Sequence, residues 1–169
     1  MDKRALTVRE VTLFGVLAAL TFGAKVAMSY LPNIEPVTLF LMVFGAVFGW
    51  KSLFIVYVYV LAEILFYGIG TWNINYLYIW VIPAVAGWLL RKWNNPFLWA
   101  VIAGLFGLLF GALCAPVDVF IGGAEFAVSK WISGIPFDAA HCAGNFVLAL
   151  LLFVPLRKLT ERLVNHSSL

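Results

Sequence analysis

Charge is what this chain has least of. Only 11% of its 169 residues are Asp, Glu, Lys or Arg, against 64% hydrophobic and 17% aromatic, and the mean hydropathy is +1.01. A soluble domain carries about a quarter charged residues, so a water-facing globular surface is excluded and the chain reads as an all-α integral membrane protein. Cysteine is nearly as scarce. Cys114 and Cys142 form no CxxC and lie in apolar stretches, so they imply no disulfide framework and read as small buried hydrophobes. There is no GxxxxGK[ST] to cradle a nucleotide phosphate, hence no ATP hydrolysis by a P-loop in this chain. GxSxG, HExxH and paired intramembrane aspartates are missing too, which leaves a membrane hydrolase unsupported. His141 with Asn145 alone makes no metal set, and neither a metal nor a cofactor is implied. Two halves with matching broken helices are not evident, against a self-sufficient secondary transporter. The net charge of +3 calls for no nucleic acid.

What is present is a series of apolar runs. A crossing needs about 20 apolar residues, so the length allows about six helices in a single domain, 1–169. The expected spans are Arg9 to Leu31, Val37 to Trp50, Ser52 to Ile69, Tyr76 to Leu90, Phe97 to about Val117, and Phe137 onward through Pro155. Asp118 to Pro136 is the longest expected connection. The start, Met1-Asp2-Lys3-Arg4 before an apolar run, resembles a signal peptide but has no convincing cleavage site, so it reads as a retained first helix. Positive charge tests this layout. With the N-terminus inside, the cytoplasmic side holds Lys3, Arg4, Arg9, Lys51, Arg91, Lys92, Arg157, Lys158 and Arg162, nine of the eleven Lys and Arg. Six transmembrane helices with both termini cytoplasmic satisfy the positive-inside rule at every turn.

The polar residues sort the opposite way. Glu35, Asp118, Glu125 and Asp138 fall at outer ends, and Glu63 in the outward half of the third span. Trp72, Asn73, Asn75 and Tyr76 share an expected outer loop. Asp138, His141 and Asn145 are spaced i, i+3, i+7 on one helical face. An outward-facing binding site is the simplest reading. The Trp72–Tyr78 cluster also fits an interfacial aromatic belt, although a belt requires no amides. His141 can equally be a satisfied structural histidine.

The first helix carries two leads. Gly15, Ala19, Gly23 and Ala27 recur every fourth residue, a stripe that allows backbone-close approach of another helix or serves internal packing. Gly104, Gly107 and Gly111 read more simply as internal packing. Lys25 lies about 9 Å from the outer end of its helix at 1.5 Å per residue. It can snorkel to the interface, contact a ligand or pair with Glu63; left unpaired at depth it costs on the order of 3 kcal/mol.

The small-residue first helix, the segment Leu31-Pro32-Asn33-Ile34-Glu35-Pro36-Val37, and Gly134-Ile135-Pro136-Phe137-Asp138 leading into His141 and Asn145 together resemble the substrate-binding S components of energy-coupling factor (ECF) vitamin transporters. The resemblance covers essentially the whole chain. It implies the S-component fold in the plasma membrane of a prokaryote. It also implies docking, through Gly15, Ala19 and Gly23, on a transmembrane T component driven by two cytoplasmic ATPases. Glycine replaces alanine in the docking motif. The implied substrate is a water-soluble vitamin taken from outside by Lys25, Asn33, Glu35, Glu63, Trp72, Asn73, Asn75, Tyr76, Asp138, His141 and Asn145. Cobalamin is the first association, its rim amides meeting Asn73, Asn75, Asn145 and Tyr76. Pantothenate, with its carboxylate on Lys25, comes next. The subunit itself is expected not to be an enzyme. The rival readings are a membrane enzyme on a lipid-like or quinone substrate, with Glu63, Asp118 and His141 as acid–base groups, and an assembly scaffold.

Overall fold

A computed structural model describes residues 6–31 and 33–166. Lys3, Arg4 and Pro32, which enter the reading above, lie outside the described residues. Among those described the secondary structure is helical throughout: α1 (Val8–Ala27), α2 (Val37–Phe48), a 3-10 turn (Gly49–Lys51), α3 (Ser52–Tyr67), α4 (Trp72–Ile79), α5 (Val81–Leu89), α6 (Pro96–Leu108) and α7 (Phe110–His166). Three stretches are long and apolar enough to cross a membrane, Val8–Ala27, Val37–Tyr67 and Pro96–Asn165.

Helix α1 begins at a capping box. Thr7 Oγ1 accepts from the Glu10 backbone N–H at 3.2 Å, and the Glu10 carboxylate accepts from the Thr7 N–H at 2.9 Å. The other Glu10 oxygen pairs with Lys51 Nζ at 2.6 Å, tying the start of α1 to the turn before α3. At the far ends of the same two helices Lys25 meets Glu63, so α1 and α3 run parallel. The chain reverses between α2 and α3 at Gly49, whose φ of 61° is open to glycine at little cost.

Helices α6 and α7 form one long antiparallel hairpin. The helix resumes after Leu109 and runs on to a second reversal at Gly123, with φ 83° and ψ 175°. Trp99 stacks on Phe153 at 4.1 Å, Gly107 abuts His141, and Gly111 N–H donates to Asp138. Beyond them Lys130 Nζ pairs with Asp118 at 2.6 Å. The expected connection Asp118 to Pro136 is therefore helical apart from Gly123. Its glycines and charges suggest a loop in the sequence, but one positive-φ residue is enough to turn the chain, and the two arms continue to pair up to it.

The expected single span Tyr76 to Leu90 is instead two short helices meeting at Trp80. Pro83 supplies the reason: it has no N–H to donate to the carbonyl four residues back, which is that of Ile79, where α4 stops. Trp72 to Tyr76, expected in a loop, form the first turns of α4.

The core lies where α2 crosses α5 and α3 and where α6 packs on α7. Gly45 and Gly87 set the α2–α5 distance, since a Cβ on Gly45 would overlap the Ala84 carbonyl and one on Gly87 the Met42 carbonyl. Gly104 and Gly107 of α6, and Gly111 at the start of α7, likewise face the part of α7 beyond Gly123 at close range. The α1 stripe behaves differently. Helix α1 buries Phe14, Ala18 and Thr21, leaving Ala19, Gly23 and Ala27 exposed and Gly15 half-buried. A Cβ on Gly15 or Gly23 would meet nothing within 4 Å. Internal packing thus uses the α6 row and leaves the α1 stripe bare.

This difference predicts opposite outcomes for two glycine substitutions. Gly87→Leu forces α2 and α5 apart and should cost about 1–3 kcal/mol or more, the usual range for overpacking. Gly15→Ala should change stability by less than ~0.5 kcal/mol. Thermal unfolding of both variants in detergent measures the contrast.

Candidate functional site

The end of the bundle opposite Lys51 and Arg157 gathers the polar residues. Helix α1 brings Lys25 in its last turn, and α3 brings Glu63. The α1–α2 connection brings Asn33 and Glu35, α4 brings Trp72 and Tyr76, and α7 brings Phe110 and His141. Ile34 seats the connection on α7 by packing over Gly144.

Lys25 Nζ lies 2.7 Å from Glu63 Oε2, with the Glu63 side chain 2% exposed. The ammonium also sits 5.4 Å over the Tyr76 ring and 5.6 Å over Tyr67, within cation–π range. Neither lone snorkelling nor an unpaired charge describes Lys25: it is a desolvated partner of Glu63. Trp72, Tyr76 and Trp80 follow at intervals of four, and their rings contact edge to face at 4.9 and 5.4 Å. Trp80 passes this aromatic line to Phe106 and Phe110, both of which touch the His141 ring.

Three cavities meet at Tyr76. One of about 270 Å³ is bounded by Lys25, Asn33, Glu35, Phe110 and His141, and one of about 240 Å³ by Lys25, Glu63, Tyr67 and Trp72. The third, about 430 Å³, runs past Trp72, Asn75, Phe110, Asp118 and Trp131. Among the described residues six buried side-chain polar atoms lack a hydrogen-bond partner: Tyr59 Oη, Glu63 Oε1, Asn73 Nδ2, Trp80 Nε1, His141 Nε2 and Asn145 Oδ1. Buried polar groups are nearly always paired. Glu63 and His141 both line a cavity; the Tyr59 hydroxyl lies beside Glu63, whereas His141 Nε2 is left to bond something placed there.

Not every expected site residue faces these cavities. Asn73 folds back to accept from the Gly70 N–H, which starts α4. Both Asp138 oxygens lie within reach of the Gly111 N–H, at 3.1 and 3.2 Å, fastening the α6–α7 hairpin. Asn145 Nδ2 bridges Thr38 Oγ1 at 3.1 Å and the Ala103 carbonyl at 3.3 Å, linking α2, α6 and α7. Asn75 borders the third cavity, but its Oδ1 accepts from Tyr78. Helical spacing places Asp138, His141 and Asn145 on one face, yet only His141 lines a cavity, because the other two bond the neighbouring helices. Phe110, Tyr67 and Trp131 are additions. Tyr67 was legible as the residue one turn beyond Glu63, whereas Phe110 needs the α6–α7 pairing. Glu63, Asp118 and His141, the acid–base set of the enzyme reading, line three different cavities. No group of three or more His, Cys, Asp or Glu among the described residues could hold a metal. Cys114 and Cys142 are free thiols.

Burial pushes the Glu35 carboxyl up to about 7. Lys25 opposes that rise and the Glu63 carboxylate adds to it. Between the ordinary value of 4.5 and about 7 the folded chain then binds more protons at this group than the unfolded chain, so its contribution to stability falls as pH rises through that window.

Two predictions follow from the two carboxylates. The melting temperature should drop by at least ~2 °C between pH 5 and pH 8, with the drop largely abolished in Glu35→Gln. Lys25→Met strands Glu63 in an apolar setting and should cost about 3–5 kcal/mol, while Lys25→Met with Glu63→Leu recovers most of it. Equal loss in single and double variants would show the ion pair to be incidental. No family model, no curated protein and no solved structure matches this chain.

Proposed function

We propose that the chain is the substrate-binding S component of an ECF-type vitamin uptake transporter in the plasma membrane of a prokaryote, with six transmembrane helices and both termini cytoplasmic. It captures a water-soluble vitamin at the outer end and delivers it by docking on a T component driven by two cytoplasmic ATPases. The observation that carries this reading is the division of labour along α1. Its Lys25 end borders a cavity with unpartnered buried polar atoms, whereas its Gly15–Ala19–Gly23 face is small, exposed at Ala19 and Gly23, and unused by the fold. A small-residue face permits backbone-close helix packing in lipid, which is what a detachable partner requires. The bilayer covers the remaining apolar surface. The ion pair of Glu10 with Lys51 and the bonds of Arg157 to Trp93 and Asn94 lie at the opposite end, in keeping with a cytoplasmic face there.

Size and charge bear on the vitamin. Each cavity around Tyr76 is at or below the lower part of the ~300–1,000 Å³ range of small-molecule sites. Cobalamin, the first association from resemblance, would require all three to merge through movement of Tyr76. Pantothenate would bring a carboxylate to a place where Glu35 and Glu63 already outnumber Lys25. A vitamin smaller than a corrin is the better fit.

Mass spectrometry of compounds released from the purified chain tests the reading. A vitamin-sized water-soluble molecule is expected; a quinone or lipid that the isolated chain converts would favour the enzyme instead. Co-expressed with its partners, Ala19→Trp should keep ligand affinity within about twofold and lose uptake. Parallel loss of both would assign the stripe to folding.

A further inference from the structure

We propose that the outer site is selective for ligands carrying a positive charge on or beside a flat nitrogen heterocycle, with Glu35 as the counter-charge. The inference rests on the ligand-capture reading above and adds a substrate class to it.

Charge accounting around the first cavity gives the reason. Four elements face Glu35: α1 with Lys25, α3 with Tyr59 and Glu63, α4 with Tyr76 and α7 with His141. Among the described residues here the one ammonium is Lys25, which lies 2.7 Å from Glu63 Oε2 and acts on Glu35 only at longer range. The nearest nitrogen otherwise is His141 Nε2, 4.0 Å from Glu35 Oε1, beyond hydrogen-bond reach. That imidazole is enclosed edge to face by Phe106 and Phe110 and makes no hydrogen bond through Nε2. Two carboxylates thus share one cation, and the second faces a cavity with its side chain only 18% exposed. A buried carboxylate without a partner is costly. A ligand cation placed beside it removes that cost, whereas a ligand carboxylate would raise it.

The rest of the wall fits the same class. Tyr76 and Phe110 offer aromatic surface, which attracts cations and flat rings. His141 Nε2, on a residue 5% exposed, supplies a directional contact for a ring substituent. The volume of about 270 Å³ equals roughly nine waters, enough for a ring with a short substituent.

The test is calorimetric titration of the purified full chain in nanodiscs with five probes. Thiamine and pyridoxamine are the cations, pantothenate and biotin the anions, and cobalamin is the bulky control. At least one cation is expected to bind, and neither anion. Because Glu35 titrates at about 7, affinity for the cation should rise about tenfold from pH 6 to pH 8, as the ionised fraction does. Glu35→Gln should weaken cation binding at least tenfold at pH 8 and flatten the profile, and Glu35→Asp should restore part of the slope. Thermal unfolding of each variant separates loss of binding from loss of fold. Binding of an anion or of cobalamin, indifferent to Glu35→Gln, would overturn the charge assignment and leave vitamin capture standing. Failure of all five probes, with only lipid or quinone released from the chain, would overturn both.

Discussion

The polar end of this protein depends on the ion pair between Lys25 and Glu63. In a chain with so few charges, placing an ammonium and a carboxylate within an apolar bundle is costly for each alone and tolerable only when they meet. Their meeting fixes the rotation of α1 relative to α3. That rotation points Phe14, Ala18 and Thr21 inward and turns Ala19, Gly23 and Ala27 out. It also sets the ammonium over Tyr76 and so fixes one wall shared by three cavities. The bare stripe and the polar pocket are in this sense two consequences of one pairing.

Around that pair the fold economises on side-chain bulk. Glycines at 45 and 87 bring α2 against α5, those at 104 and 107 bring α6 against α7, and Gly111 brings the start of α7 against its continuation beyond Gly123, so the helices meet at backbone-close range. Amides and carboxylates at the helix crossings then set the register. Asn145 joins three helices and Asp138 clasps Gly111. The Asn145 Nδ2 and the Asp138 carboxylate are thus spent on structure. Glu35 and His141 Nε2 are left facing a cavity, and a site for a small polar ligand is the economical explanation for keeping them buried there.

Composition alone made the apolar helical class legible, and the sorting of cations and anions placed the polar residues together at one end. Lys25, Glu35, Glu63, Tyr76 and His141 could be singled out because each is an anomaly of type or depth in an apolar run. Asn73, Asp138 and Asn145 are anomalies too, but residue type cannot distinguish a side chain that bonds a neighbouring helix from one that faces a cavity. Loop signals misled at two places. Gly122, Gly123 and the charges near them look like a long connection, although only Gly123 departs from the helix. The amide-rich stretch from Trp72 to Tyr76 reads as loop yet is helical, with its break displaced to Trp80 by Pro83.

Hydropathy, the period of small residues and the spacing of charge are local or additive properties, so the sequence by itself determined the apolar helical class, the polar end and the small-residue stripe. Pairing depends on rotation about helix axes, which no linear spacing specifies. Only the tertiary structure decided that Lys25 meets Glu63 while Glu35 stays unpaired, that the α6 glycines are buried and the α1 stripe is bare, and that Phe110 from a distant helix closes the pocket beside His141.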